Sequence, residues 1–406
     1  MRIKNPMTTY KALDHRIYFM FVAQIITRMG SFVSVLLALL LTKRLGMEET
    51  TVGLILGLIT FFQVFGVLAG GHLGDKIGRK NTILISHFLG GIIYIIAGFF
   101  VNNTILPLIL IPASFTMGFT RPAANALVTD ISSGEKRQSA MSLIYLGTNI
   151  GVAVGPILAG FLFENYPAWI FWGDGLTSLI CGTLIMIFVA EPASSQRSKD
   201  SKEEDEDLNH SLRAFFNRPM ILLFSFMGLI LNLIYSQHSF AIPLQMEFLY
   251  PDKGAQYYGW LMSFNAIVVL CFTPLILSLT KKLRESNNVA LAAMAMAIGF
   301  GLLIKPVASI ILVLSALFWT WGEILFVTNF SVYVAKHTPQ NHRGAFSSYS
   351  SMFLQAGWAI SPIIGGMSLK YLSYSTHWTI VLVVGVILSL CYMALARYQK
   401  NKVKIG

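Results

Sequence analysis

A handful of polar and ionisable residues stand inside long apolar runs: Arg28, Arg121, the neighbours Gln237 and His238, and Glu323. A charge at the centre of a bilayer costs about 2.5–3.5 kcal/mol even on lenient insertion scales. An ionisable residue kept there is a candidate for ligand binding or proton transfer. Glu323, in Trp319-Thr320-Trp321-Gly322-Glu323, is flanked by apolar turns, and its charge is expensive enough there for it to load and release a proton near neutrality. Arg28 and Arg121 stay cationic, so they cannot carry protons; they suit a carboxylate or phosphate, or the neutralisation of Glu323. His238 titrates near physiological pH when unperturbed, although a helical histidine is often satisfied by a neighbour. Trp319 and other rings nearby either line a cavity for a lipophilic compound or pack a core.

The elements that must position these groups are membrane helices. Of 406 residues 55% are hydrophobic and 12% charged, against about 25% charged in ordinary soluble domains. The apolar residues fall in runs long enough to cross a hydrocarbon core. Runs bounded by charges, Pro or Asn predict helices at 15–42, 50–73, 81–101, 105–131, 137–164 and 168–190. Six more follow at 218–247, 255–280, 287–304, 308–337, 343–371 and 375–398. The first run is too long for a cleavable signal and reads as a retained helix. Between the sets of six lies the polar stretch 191–217, read as a solvated linker joining halves 1–190 and 218–406.

Charge placement orients the crossings. Of 30 Lys and Arg, the odd-numbered connections hold only Lys43, Arg44, Lys253, Lys305 and Lys370, which puts both termini in the cytoplasm. The formal charge of +11 is spread between apolar runs rather than clustered on a wet face, which argues against nucleic acid. Cys181, Cys271 and Cys391 fall within crossings and imply no disulfide framework or metal site. An offset of 206 pairs Arg137 with Arg343, Ser142 with Ser348, Gly151 with Gly357, Pro156 with Pro362 and Gly160 with Gly366, the mark of a duplicated six-helix bundle.

The connection between helices two and three reads Gly70-Gly71-His72-Leu73-Gly74-Asp75-Lys76-Ile77-Gly78-Arg79-Lys80. It resembles the signature loop of the major facilitator superfamily, GxLxDxxGRK. That resemblance implies the all-helical major facilitator fold, with two pseudo-symmetric six-helix bundles. It also implies a cytoplasmic gate in which Asp75 pairs with Arg79, with Asp130 at the end of helix four and with the positive start of helix eleven near Arg343. Gly71, Gly78 and Lys80 belong to the same gate. The second-half copy, Leu279 to Arg284, keeps only basic character.

Helix five carries Gly147, Gly151, Gly155-Pro156 and Gly160, with glycines at four-residue spacing along one face. It is similar to the antiporter motif GxxxGxxxGPxxGG of the twelve-helix drug–proton antiporter branch, with Ala159 in place of one glycine. The branch's helix-four Arg is replaced by Leu110, so its proton relay does not carry over. In the superfamily, helices one, four, seven and ten line the central cavity, and each here supplies one of the polar residues above. Asp174, early in helix six, resembles a residue common in the branch and reads as structural.

The function expected is secondary active transport by alternating access: proton-coupled efflux of small lipophilic or amphiphilic compounds. The alternative on the same fold is a proton-linked carrier of small anionic or zwitterionic metabolites or peptides, or a lipid translocator. Glu323 and His238 are the expected proton-coupling residues. Arg28, Arg121, Gln237, His238, Glu323 and Trp319 are the expected substrate cavity. No phosphate-binding GxxxxGK[ST] loop or HxxxxD pair occurs, which argues against an ATP-driven pump and a membrane acyltransferase. The partners expected are membrane lipids, protons and a small-molecule substrate, with no cofactor or metal. The chain is expected to be a monomer in the inner (plasma) membrane.

Overall fold

A computed structural model describes residues 13–191, 212–306, 308–338 and 343–405. Most of the stretch read as a linker, 192–211, lies outside the described residues. Among the described residues the regular structure is helical, without strands. Crossing α1 is built from His15–Met29, Phe32–Leu39 and a π turn, Leu40–Arg44; α2 is Glu49–Ile77 and α3 Arg79–Phe99. Crossing α4 comes in two pieces, Leu106–Gly118 and Thr120–Ile131; α5 is Gly134–Asn165 and α6 Pro167–Phe188. Then follow α7 (Pro219–Leu249), α8 (Gly254–Thr280), α9 (Glu285–Gly301), α10 (Ser309–His337), α11 (Arg343–Tyr371) and α12 (Tyr374–Ile405). Among the described residues, eleven of these have the length and hydropathy to cross a membrane, and α4, in its two pieces, is the twelfth apolar helix of the series.

The two interrupted helices have local causes. In α4, Pro122 has no N–H to offer the Gly118 carbonyl, so the helical ladder lapses one turn earlier. Ser86 of α3 covers the lapse: its hydroxyl donates to the Thr116 carbonyl and lies 2.7 Å from the Thr120 hydroxyl. Phe119 keeps right-handed helical angles (φ −65°, ψ −30°), so the pieces continue one another without a reversal. In α1 the break falls at Gly30 and Ser31, whose hydroxyl donates back to the Thr27 carbonyl at 2.8 Å. A Cβ on Gly30 would lie 2.0 Å from Thr177 Oγ1, so only glycine lets α1 approach α6 at that level. At its start α1 is capped by Asp14, which accepts from the Arg16 backbone N–H; the Arg16 side chain lowers the Asp14 carboxyl to about 2.

Contacts divide the chain into two units. The first comprises Met1–Met47, Leu58–Lys199 and Met246–Ala266; the second comprises Glu48–Gly57, Asp200–Gln245 and Ile267–Gly406. In the first, Ile17, Met20 and Ala23 of α1 pack with Ile83, Leu127, Val128, Leu143, Cys181 and Ile185 from α3 to α6 in one apolar core. In the second, Phe300 stacks on Trp378 at 5.4 Å and lies parallel to Trp319 at 6.3 Å. Trp378 donates to Gln245, which donates in turn to the Leu303 carbonyl. Large apolar side chains such as Phe61, Leu68, Phe99, Leu108 and Ile187 face outwards, as hydrocarbon requires.

Glycine contacts repeat between the units at the offset seen in sequence. A Cβ on Gly259 would lie 2.3 Å from the Pro156 carbonyl oxygen; on Gly53 it would lie 2.2 Å from that of Pro362. Likewise Gly160 sits on the Ala255 carbonyl (2.7 Å) and Gly366 on that of Glu49 (2.2 Å). Each of these positions is 206 residues from its counterpart. The duplication read from helices five and eleven therefore extends to α2 and α8. These close contacts join the first turns of α2 to α11 in the second unit, and the first turns of α8 to α5 in the first.

Candidate functional site

The glycine face of α5 sets the position of Arg28. A Cβ on Gly147 would meet the Phe21 carbonyl at 3.0 Å, one on Gly151 the Ile25 carbonyl at 2.7 Å and Arg28 Cβ at 2.5 Å, and one on Gly155 the Met29 carbonyl at 2.7 Å. Three rungs of one helix thus rest on successive turns of α1, backbone to backbone. Gln24 adds a hydrogen bond to Thr148 at 2.9 Å. Within this contact the Arg28 side chain is exposed rather than enclosed, although it is mid-crossing. Arg121, in the first turn after the α4 break, is exposed as well. The two guanidinium charges are close enough to repel each other, and Asp174 is close enough to attract Arg28.

Asp174 is nearly buried, and its Oδ2 accepts from the Val33 backbone N–H at 3.4 Å, just past the α1 break. Sequence reading left it as a structural residue. Its proximity to Arg28 comes from the Gly30 approach of α1 to α6, which no local pattern reveals. Neither Arg28 nor Arg121 has a carboxylate within ion-pair distance among the described residues.

In the second unit, His238 of α7 is 5% exposed and lies in a ring cluster. It stacks on Trp319 (5.4 Å, 18°), with Tyr235 at 4.5 Å and Trp358 at 5.8 Å. Its Nδ1 is 2.7 Å from the Tyr235 carbonyl oxygen. A carbonyl only accepts, so Nδ1 carries the hydrogen and Nε2 is left as the acceptor. Trp319 is completely buried, with its ring against that of His238. Gln237 is buried too, and its amide donates to the Ser361 carbonyl (2.9 Å) and hydroxyl (2.8 Å), tying α7 to α11. Glu323 stands one turn beyond Trp319 on α10 and is half-buried. Gly322 beside it rests on α9, where a Cβ would meet the Ala292 carbonyl at 2.7 Å.

At the α2–α3 connection Asp75 and Arg79 form an ion pair, and Arg79 Nε is 3.8 Å from Asp130 at the end of α4. Gly78 has φ +96°, a conformation that glycine alone adopts without strain. Glu191, read from sequence only as the start of the linker, caps α3: its carboxylate accepts from the backbone N–H groups of Arg79 (2.7 Å) and Lys80 (2.8 Å). Lys80 reaches the Met186 carbonyl at 2.9 Å, closing the loop onto α6. Gly71 has open space where a Cβ would stand, so no contact requires glycine there.

One further charge cluster was invisible in sequence. Lys43 Nζ lies 2.9 Å from Glu164, 2.6 Å from Glu247 and 3.1 Å from Asp252. These carboxylates have metal-like spacing, but the ammonium already holds their centre.

A family model described as Major Facilitator Superfamily matches residues 20–362 and 254–405. The uncharacterized MFS-type transporter YqjV of Bacillus subtilis (strain 168) is 24% identical over 354 residues, covering 85% of this chain and 84% of its own length. A Na(+), Li(+), K(+)/H(+) antiporter of Planococcus maritimus is 24% identical over 352 residues, covering 78% of this chain and 81% of its own. The quinolone resistance protein NorA of Staphylococcus aureus is 24% identical over 180 residues, 44% of this chain and 46% of NorA. Among solved structures, the nucleoside transporter NupG superposes with a TM-score of 0.83 at 15% identity, over 94% of this chain and all of that one. A peptide transporter, POT, superposes with a TM-score of 0.77 at 14% identity, over 97% and 98%. With twelve helical crossings, a loop that keeps every anchor of the signature and a family match spanning nearly its whole length, the chain belongs to the Major Facilitator Superfamily and is a multi-pass membrane transporter, not an enzyme.

Proposed function

We propose that this transporter is a proton-coupled antiporter that exports small lipophilic or amphiphilic compounds by alternating access between the halves 1–190 and 218–406. It works as a monomer in the plasma membrane, with both termini and the α2–α3 loop on the cytoplasmic side. The observation that carries the reading is Glu323, a half-buried acid in the middle of a crossing, one turn from the Trp319–His238 stack. A carboxyl so placed is costly when charged and inexpensive when neutral, so its protonation biases the conformational equilibrium. Similarity to a cation/proton antiporter and, over a shorter stretch, to NorA supports exchange and export. His238, through Nε2, is a second proton acceptor on the same path.

The test is ΔpH-driven transport of dye-like amphiphiles in proteoliposomes. Glu323→Gln is expected to abolish uphill movement while leaving downhill exchange. Undiminished uphill transport by that variant overturns the assignment of Glu323. The reading as a carrier of anionic or zwitterionic compounds is favoured by one observation, the pair of exposed arginines in the first unit.

A further inference from the structure

We infer that Lys281, Glu285 and Lys336 form a second cytoplasmic gate, a copy of Asp75, Arg79 and Asp130 in which every charge is reversed, with Glu285 as its hub. The inference rests on the gate reading of the α2–α3 loop and adds a counterpart to it in the second unit.

The offset of 206 residues carries Asp75 onto Lys281, Arg79 onto Glu285 and Asp130 onto Lys336. Their places in the fold match as well. Arg79 opens α3 and Glu285 opens α9, while Asp130 and Lys336 are each the penultimate residue of their crossing, α4 and α10. The two hubs are equally sheltered, with side chains 20% exposed at Arg79 and 21% at Glu285. Arg79 pairs with Asp75 and stands 3.8 Å from Asp130; Glu285 pairs with Lys336, and Lys281, exposed just past α8, keeps the i, i+4 spacing. A fourth position follows the same rule: Glu164, paired with Lys43, corresponds to Lys370, paired with Glu48. Decay of an unused motif would replace charges by neutral residues, whereas here a charge persists at each position with its sign changed. The motif string hides this because it specifies sign, and Lys336 lies 51 residues beyond Glu285.

An ion pair is indifferent to which helix carries which sign, so pairing survives the reversal. The helix ends are not indifferent. In α9 and α10 the reversal sets an acid at the positive start and a cation at the negative end. Arg79 and Asp130 oppose the ends they occupy, and it is Glu191 that offsets the start of α3. The α8–α9 turn is built to carry its hub: buried Asn288 donates to Asn329 of α10 at 2.8 Å and to the Thr280 carbonyl of α8 at 3.4 Å, and Ser286 donates to Gln399 of α12 at 3.2 Å. Glu285 thus stands on a turn tied to three other crossings, and making or breaking its pair with Lys336 acts on all of them.

The test is hydrogen–deuterium exchange on the full chain in phosphatidylcholine nanodiscs, without substrate or gradient. Glu285→Gln is expected to speed exchange in its own turn, 279–288, by about three- to tenfold, the loss of a partly exposed ion pair and a favourable helix-end charge. A gate also acts at a distance: opening it on one side favours the conformer closed on the other, so exchange in the opposite turns, 43–49 and 249–256, is expected to slow by about twofold or more. A brace with no part in gating would loosen 279–288 and leave those turns unchanged, and that result overturns the inference. The double reversal, Glu285→Lys with Lys336→Glu, should return both regions towards wild type, which a misfolded variant would not do; recovery in neither region overturns it too. Arg79→Gln, run alongside, separates the two readings. If it moves the opposite turns and Glu285→Gln does not, only the second gate falls; if neither moves them, the gate reading of the α2–α3 loop falls as well.

Discussion

Gly78 and Glu191 illustrate how one residue's conformation can organise a loop. The positive φ of Gly78 turns the chain so that the backbone N–H groups of Arg79 and Lys80 point at the Glu191 carboxylate, which meets the partial positive charge at the start of α3. An added Cβ would stand 2.9 Å from Glu191 Oε1 and would also carry the strained φ. Gly78→Ala is therefore expected to cost about 1–3 kcal/mol. Glu191→Gln keeps the shape but removes the charge, and is expected to cost less. Thermal unfolding of the two variants in detergent checks the order; a Gly78→Ala melting point equal to wild type would refute the strain. Glu191 was missed in sequence because the charged stretch that follows it masks its partnership with a loop 112 residues earlier.

At the scale of the element, the contact of α5 with α1 is a demanding one. The glycines at 147, 151 and 155 leave no room for side chains because their counterparts are backbone atoms of α1, which cannot rotate away. Gly151→Leu is expected to push α1 outward, lower stability by about 1–3 kcal/mol and reduce transport by at least tenfold, because Arg28 moves with α1. Gly71→Ala, which meets nothing, is the control expected to match wild type in stability. The four-residue glycine spacing was legible in sequence as a packing face. Its partner was not, since spacing specifies a face of one helix and says nothing of which neighbour covers it. The α4 lapse had a local signal in Pro122, yet the run 105–131 suggested one unbroken helix. Ser86, the residue that makes the lapse affordable, comes from another element.

For the whole molecule, the duplication makes a sharper claim than sequence similarity does. Gly53 on Pro362 and Gly259 on Pro156 are the same contact in two copies, at 2.2 and 2.3 Å. Substituting either by leucine should therefore slow transport to a similar degree, within about threefold, although the positions lie in different contact units. Transport rates of Gly53→Leu and Gly259→Leu in the same vesicle preparation test this. A large effect at one position and none at the other would show that the copies have diverged in role. The Lys43 cluster, by contrast, is not copied charge for charge: the position 206 residues after Glu164 is Lys370, a cation, and it pairs with Glu48 in the second unit.

Sequence alone determined the number of crossings, their limits to within a few residues, the family loop and the register of the repeat. Each of these follows from composition and spacing along one segment, where the bilayer demands long apolar helices and glycine marks close approach. Only the tertiary structure decided which helices carry polar residues close enough to feel one another's charge. Arg28, Arg121 and Asp174 come from three different helices, and their approach depends on backbone contacts at Gly30 and Gly151 that a linear pattern does not encode. The same folding buried Gln237 and Trp319 and, among the described residues, left two arginines exposed without an ion pair, because burial and charge pairing are properties of the assembled bundle.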